Sequence, residues 1–549
     1  MLSFEPCLKK RAVMGPTQGV AGVVEPTGIR MEEFQESLAP QPVPSQTPRL
    51  LQLGAIAVVL AASPTRAFDL DRFLVPKELA LHLTAVMAGI FAFRAVRRSN
   101  GTWIDLALGA YLILSVVSAG FATNPWLAAR AVALSGSALV LYWTARALRL
   151  AGREGALVNT VALAVVLAAV TSLLQAYGLE LVVFSPNRAP GGTLGNRNFV
   201  AHAAAFGLPL VIVQGLRARR PSGVLFASLG LSLLTAVLVL TRSRGAWLAA
   251  TAAVAMIAAA IMMFEVLRRD GRVWRRVTLL AIFPVAGAVA ALAIPNTLRW
   301  RSENPYLDSV HDIANYEEGS GRGRLIQYGR TLRMAAAHPV FGVGPGNWPV
   351  RYPGFAARRD PSMDPSVEGV TYNPWPSSDW FAVVSERGCL AAGLLILAIV
   401  GITTGNLKRL WRAPTSDDAL EAAALLATLA AAVIAGLFDA VLLLALPTQL
   451  VWTAIGALAA PASGEGMPGA RTFAFVIALL ISAGGAARSV AQVAAMEIYA
   501  MTNDRALLAA ASRIDPGNYR LHLKIGGRYH DCRAAALFPH AREAERRCR

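Results

Sequence analysis

The sequence predicts an all-α fold: a polytopic membrane helical bundle of about 12–13 spans, with one large polar loop and a small helical tail. Three observations predict it. Charged residues make up 16% of the 549 residues, hydrophobic residues make up 55%, and mean hydropathy is +0.47. Soluble domains carry about 25% charged residues, so a soluble multidomain enzyme is excluded. Apolar runs near the roughly 20 residues needed to cross a bilayer recur along the chain. Arginines cluster in alternate connections between those runs. The net charge of +18 would suggest a nucleic-acid partner on a soluble protein. Here it reads first as topology and partly as anion binding, and no nucleic acid is expected.

Residues 1–48 are mixed polar and contain proline but no long apolar run. They lack the basic-then-apolar order of a signal peptide, and they read as a disordered cytoplasmic tail, with Met14 and Met31 as alternative starts. The transmembrane domain then covers 49–492. Its thirteen spans are expected near 49–64, 78–96, 102–122, 126–147, 155–177, 198–216, 222–241, 244–266, 276–294, 381–403, 418–438, 440–460 and 472–492. Basic clusters follow the even-numbered spans: Arg97 and Arg98; Arg146, Arg149 and Arg153; Arg217, Arg219 and Arg220; Arg268 to Arg276; Lys408, Arg409 and Arg412. The positive-inside rule makes these connections cytoplasmic. The N-terminus is then inside, the C-terminus is outside, and the membrane is a bacterial inner membrane.

The odd connections are periplasmic on this reading. The largest, 295–380, is rich in Pro, Gly and Trp, and loops this long are usually functional. Residues 497–549 form a periplasmic tail. An Ala-rich helix leads to Asp515-Pro516-Gly517-Asn518-Tyr519, followed by a second helix through Ala534 and a third after Pro539. This pattern resembles a tetratricopeptide helical hairpin. So short an array has to dock on the membrane domain or on a partner. Cys7, Cys389, Cys532 and Cys548 form no CxxC pair, so no zinc site is expected. Cys532 and Cys548 are either a disulfide, if the tail is periplasmic, or two free thiols.

Three segments break the membrane rules. Arg242 and Arg244 lie in Thr241-Arg242-Ser243-Arg244-Gly245 on the expected outer side. Such residues either snorkel from a tight turn or line a site. A guanidinium pairs bidentately with phosphate oxygens. The second segment is Gly191-Gly192-Thr193-Leu194-Gly195-Asn196-Arg197-Asn198. Its glycines allow close backbone approach, Asn198 is expected to cap the next helix, and Arg188 and Arg197 add positive charge. An ordinary turn and cap is the alternative. The third is the long loop, with Gly321-Arg322-Gly323-Arg324 and then His338-Pro339-Val340-Phe341-Gly342-Val343-Gly344-Pro345-Gly346-Asn347-Trp348. Helical spacing runs from Arg324 to Ala337. A cation near a helix start is mildly unfavourable, which suggests an anionic partner. The glycines are not a Walker loop, since no Lys-Ser/Thr follows. HExxH, GxSxG and dinucleotide fingerprints are absent, and Asp69-Leu70-Asp71 reads as a coincidental DxD.

In order, these pieces resemble the O-antigen ligase family, which includes O-antigen polymerases and protein-glycosylating ligases. The matching residues are Gly195-Asn196-Arg197-Asn198, Ser243-Arg244-Gly245, Arg324, His338-Pro339, Gly342 to Asn347, Asp379 to Gly388, and Asp439, Pro447 and Trp452. The resemblance covers roughly 190–460. It implies a metal-independent, inverting glycosyltransferase without cofactor. The donor is an undecaprenyl-diphosphate-linked glycan, and the acceptor is a hydroxyl of a lipid, glycan or protein at the periplasmic face. Arg242 or Arg244 and Arg324 inherit the diphosphate role by position, with Arg197 and Arg188 beside them. Gly195, Asn196, Asn198, His338, Gly344 and Asn347 support the site.

One departure stands out. The family's His-Asn pair is replaced by Ser377 and Ser378. Serine is a poor base, so Asp379 is the nearest substitute, with Glu386 and His311 as further candidates. A transporter and a non-catalytic scaffold of envelope polysaccharide assembly remain as alternatives.

Overall fold

The computed structural model describes residues 43–549 except 66, 69, 99–100, 301, 312–316, 318, 358 and 461–468. Most of the expected N-terminal tail, and Asp69 of the DxD, lie outside the described residues. Thirteen apolar helices correspond to the thirteen expected spans. They are α1 (Gln46–Leu60), α2 (Asp71–Arg98), α3 (Trp103–Ala119), α4 (Pro125–Leu150), α5 (Glu154–Ala176), α6 (Arg197–Arg217), α7 (Pro221–Thr241), α8 (Arg244–Met263), α9 (Gly271–Ala293), then α12 (Asp379–Trp411), α13 (Ser416–Phe438), α14 (Ala445–Leu458) and α15 (Ala470–Met501). Ten are long and apolar enough to span a membrane. The other three, α1, α3 and α14, are 14–17 residues long. At about 1.5 Å of rise per residue they fall short of a roughly 30 Å core. Among the described residues there is no strand, only an isolated bridge between Met363 and Thr371. The chain is an all-α, multi-pass membrane protein.

Local chemistry sets the helix ends. Thr102 and Asp105 form a reciprocal capping box at α3, and Asn124 caps α4 through the Trp126 and Leu127 N–H groups. Glycines let helices touch. A Cβ on Gly287 would sit 2.1 Å from the Ser232 carbonyl oxygen, and one on Gly456 would sit 2.3 Å from that of Tyr142. Small residues at crossings are what membrane packing needs, since apolar side chains gain little by leaving lipid.

The basic connections gather at one end of the bundle. There Glu421 on α13 takes Arg217 at 2.7 Å, Arg409 at 2.6 Å and Arg149 at 3.5 Å, while Arg272 meets Asp417 at 2.6 Å. Two ionic clusters lie among the spans. Asp105 accepts from Arg471 at 2.8 Å and from the Trp143 indole at 2.8 Å. Arg130 binds Glu78 at 2.7 Å and Asp71 at 2.9 Å. Charge within a membrane domain pairs in this way or marks a site.

The long segment carries α10 (Pro305–His311) and α11 (Gly319–Ala337). The second helix starts one turn before its expected start at Arg324, so Arg324 lies in its second turn. The tail boundary also shifts. The last span runs to Met501, past 497, and the expected second tail helix breaks at Gly526 and Gly527, both at positive φ. The tail is therefore four helices, α16 (Arg505–Ile514), α17 (Tyr519–Ile525), α18 (Arg528–Leu537) and α19 (Arg542–Cys548). It docks on the rest of the domain. The Asn124 side chain donates to the Gly517 carbonyl at 3.1 Å, Arg542 N–H donates to the Glu368 carbonyl at 3.1 Å, and Val370 packs against Ala534, Ala541 and Ala544.

Cys532 and Cys548 are joined in a disulfide, and Cys389 is a free thiol. A link closing a loop of this length is worth about 3 kcal/mol of chain entropy. Replacing both cysteines by serine is expected to speed tryptic cleavage at the Arg542–Arg549 end. The melting of the helical bundle should not change.

Candidate functional site

At the bundle end opposite the Glu421 cluster, α7 turns into α8 without a loop. Arg242 closes α7 in the left-handed region at φ 54°, the one non-glycine residue there among the described residues. Glycine or asparagine usually takes this position, and arginine there costs about 1–2 kcal/mol. Backbone strain of this kind is a pointer to function. The turn aims Arg242 and Arg244 into a cavity of about 1010 Å³, which Arg197, Arg299, Trp300 and Glu180 also line. The guanidiniums of Arg197 and Arg242 lie 4.9 and 4.7 Å from the Trp300 ring centre. Arg242 donates to Ser309 at 2.8 Å and Arg244 to Ser320 at 2.7 Å, so the long segment holds both side chains. Four arginines around one glutamate give a cleft that focuses positive potential.

The Gly191–Asn198 turn sets Arg197 in place. Asn196, not Asn198, caps α6: its side chain accepts from Asn198 N–H at 3.0 Å. The cap lies one residue earlier than expected because the helix already begins at Arg197. Gly195 sits at φ 72°, and a Cβ there would meet the Phe73 ring at 2.3 Å. Arg188 takes a different course. It lies 5.5 Å from the Tyr372 ring and faces a second cavity of about 420 Å³, while its neighbours Asn187 and Ala189 line the arginine cavity. The Pro186–Arg188 turn is thus a wall between the two.

The carboxylates nominated from sequence are fixed by backbone groups. Asp379 lines the second cavity, is 2% exposed, and accepts from Val441 N–H at 3.1 Å and Leu442 N–H at 2.9 Å. Glu386 accepts from Gly346 N–H at 2.8 Å and Trp348 N–H at 3.1 Å. Both therefore tie loops to α12. His311 ends α10, is exposed, and lines neither cavity. The structure places Asp379 and Glu386 on the second cavity together and leaves His311 apart from them.

The glycine-rich loop is the partner of Glu386. Val343 N–H donates to the Ser385 carbonyl at 3.0 Å and Gly344 N–H to that of Glu386 at 2.9 Å. Gly344 stands at φ 95°, where a Cβ would sit 2.6 Å from Ala122 Cα. Asn347 is fully buried and exchanges two hydrogen bonds with the Asn124 backbone, at 2.7 and 3.0 Å. His338 supplies its carbonyl to Gly342 N–H at 3.0 Å.

Arg324 lines neither cavity. Its charge and that of Asp439 act on the ring of His202, a residue that sequence reasoning passed over. His202 is 2% exposed, has no hydrogen-bond partner at either ring nitrogen among the described residues, and lies where a Cβ on Gly245 would come within 3.6 Å of Nε2. A histidine one turn below the Asn198 end of an apolar span was the available signal. Arg299 and Trp300 were missed because nothing in their spacing sets them apart from the rest of the polar loop. Among the described residues, no three His, Cys, Asp or Glu side chains gather as a metal site.

If Asp379 is an anchor, Asp379→Ala leaves two buried N–H groups without acceptors, each costing about 1–3 kcal/mol. Its melting temperature is then expected to fall clearly, whereas His311→Ala is expected to leave it unchanged. Thermal unfolding in detergent measures both.

The O-antigen ligase family model matches residues 229–398. The match takes in Arg242, Arg244, Arg324, Asp379 and Glu386, and leaves out Arg188, the Gly195–Asn198 turn, Asp439, Pro447 and Trp452. No curated protein matches the chain. Residues 229–398 of this multi-pass membrane protein thus carry an O-antigen ligase domain, which supports a general role in glycan transfer.

Proposed function

We propose that the chain is a ligase or polymerase of the inner membrane that moves a glycan from an undecaprenyl-diphosphate carrier to an acceptor hydroxyl at the periplasmic face. The observation that carries this reading is the convergence of Arg197, Arg242, Arg244 and Arg299 on one cavity. The acceptor oxygen attacks the anomeric carbon from the side opposite the carrier, its proton passes to a base, and the bond to phosphate breaks with inversion. The diphosphate leaves with the electron pair, and its negative charge grows as it does so. Guanidiniums already in place stabilise that charge more in the transition state than in the ground state. Arginine suits the task because it stays protonated and grips phosphate oxygens in pairs. The cavity lies at the ends of α6, α7 and α8 and is no path across the bundle, which favours transfer over transport.

The roles divide by position. Arg242 and Arg244 are the principal diphosphate ligands, with Arg197 beside them. Arg324 acts from behind, near His202 and Asp439. Arg188 belongs to the neighbouring cavity. The backbone bonds of Asp379 and Glu386 favour anchoring over proton transfer.

In nanodiscs containing undecaprenyl-diphosphate-glycan, Arg242→Ala and Arg244→Ala are expected to slow carrier release about 10²–10³-fold, the range for losing one preorganised donor. Arg324→Ala is expected to lose less. Undiminished release in the first two variants sinks the diphosphate assignment. Absence of carrier binding by the wild type sinks the transfer reading itself.

A further inference from the structure

The second cavity contains a charged residue that the proposed chemistry does not use. Arg387 is 1% exposed and lines it. Its Nη2 donates to the Ser135 hydroxyl at 3.3 Å and the Ala131 carbonyl at 3.4 Å. Its Nε and Nη1 have no hydrogen-bond partner among the described residues, and the Tyr111 ring centre lies 5.9 Å away. The Glu386 carboxylate is 3.8 Å from Nη1, but its oxygens already serve Gly346 and Trp348. A buried guanidinium with open N–H groups is costly unless an anion meets it.

The other acids around the cavity are engaged. Asp71 and Glu78 hold Arg130, Asp379 holds the Val441–Leu442 backbone, Asp364 accepts from Ser366, and Asp515 accepts from the Asn518 amide. Arg130, Arg188, Arg488 and Arg520 also stand at the lining, but of these five arginines Arg387 alone has buried N–H groups without an acceptor among the described residues.

Below Arg387 the wall changes character. The chain breaks at Gly388, with φ 80°, and α12 continues into the bundle. Leu395, Ile399 and Ile402 on that helix line the cavity, joined by Leu429, Val451 and Ile455. At about 1.5 Å of rise per residue, Leu395 to Ile402 lie about 12–22 Å beyond Arg387. The cavity therefore presents the open N–H groups of Arg387 at the loop end and is apolar at depth. Asp515, Gly517 and Tyr519 of the tail line its mouth.

We propose that this cavity binds a lipid with an anionic headgroup. The head pairs with Arg387, the hydrocarbon lies between α12, α13 and α14, and the bound lipid is the anchor of the acceptor. Its acceptor role rests on the transfer reading; the binding site itself does not. The wall at Pro186–Arg188 then separates donor from acceptor by a single turn.

The test uses the full chain in detergent, with hexadecyl phosphate and palmitate as anionic probes and hexadecyl maltoside as the uncharged one, read by native mass spectrometry. Wild type is expected to retain one molecule of each anionic probe. Arg387→Gln is expected to weaken both at least tenfold, to the level of the maltoside. Ala398→Trp, which fills the cavity, should abolish retention, and Arg244→Ala should leave it intact. Retention that survives Ala398→Trp, or equal loss in Arg244→Ala, overturns the site. Should Arg387→Gln fail to fold, Ile399→Trp carries the test, because it narrows the same wall without removing a charge. A preference for phosphate over palmitate identifies a phosphorylated head, and equal retention identifies any anionic head. In carrier-release assays, Ala398→Trp is expected to raise the KM for a lipid-anchored acceptor and not that for the carrier. An unchanged acceptor KM overturns the acceptor role. Failure of carrier binding, by contrast, strikes the transfer reading alone.

Discussion

The break in α12 at Gly388 is the constraint on which the rest depends. At this point a span loses its own hydrogen-bond ladder, and every freed group must find a partner, since lipid offers none. The glycine-rich loop supplies them. Val343 and Gly344 donate to the carbonyls of Ser385 and Glu386, Cys389 N–H donates to the Pro339 carbonyl at 2.8 Å, and Ser118 donates to the Phe341 and Glu386 carbonyls at 2.6 and 2.9 Å. A Cβ on Gly388 would lie 2.0 Å from the Val340 carbonyl oxygen. No other residue fits, and the long segment is stitched to the bundle here.

From this junction the two cavities follow. The stitched segment runs back as α11, from which Ser320 reaches Arg244. Ser309 on α10 reaches Arg242. The strained α7–α8 turn is thereby held against the same segment that Glu386 anchors. On the other side of the Pro186–Arg188 turn, the junction leaves Arg387 facing the second cavity. One loop thus positions the cationic groups of both sites.

Charge is handled differently at the two ends. At the Glu421 end, Glu421, Asp417 and Asp418 each hold arginines of the basic connections. At the opposite end, most acids are spent on backbone N–H groups or on Arg130, and several arginines keep cavity-facing surface. An excess of guanidinium over free carboxylate suits anionic ligands.

The sequence by itself determined the helical class, the run of apolar segments and the clustering of basic loops, and it singled out Arg197, Arg242 and Arg244, which line one cavity. Those features are local: apolar run length, a glycine before a cap, an arginine where lipid disfavours it. Only the tertiary structure decided what Asp379, Glu386, Arg387 and His202 face. Asp379 lies 62 residues from Val441, and Glu386 lies 40 residues from Gly346. A carboxylate that holds a distant N–H looks the same in sequence as one that takes a proton. The same holds for Arg188 and Arg324, which carry the right charge but lie outside the arginine cavity. Side-chain chemistry is written residue by residue; a partner is a property of the packed chain, because lipid forces each polar atom to pair with whatever the fold brings beside it.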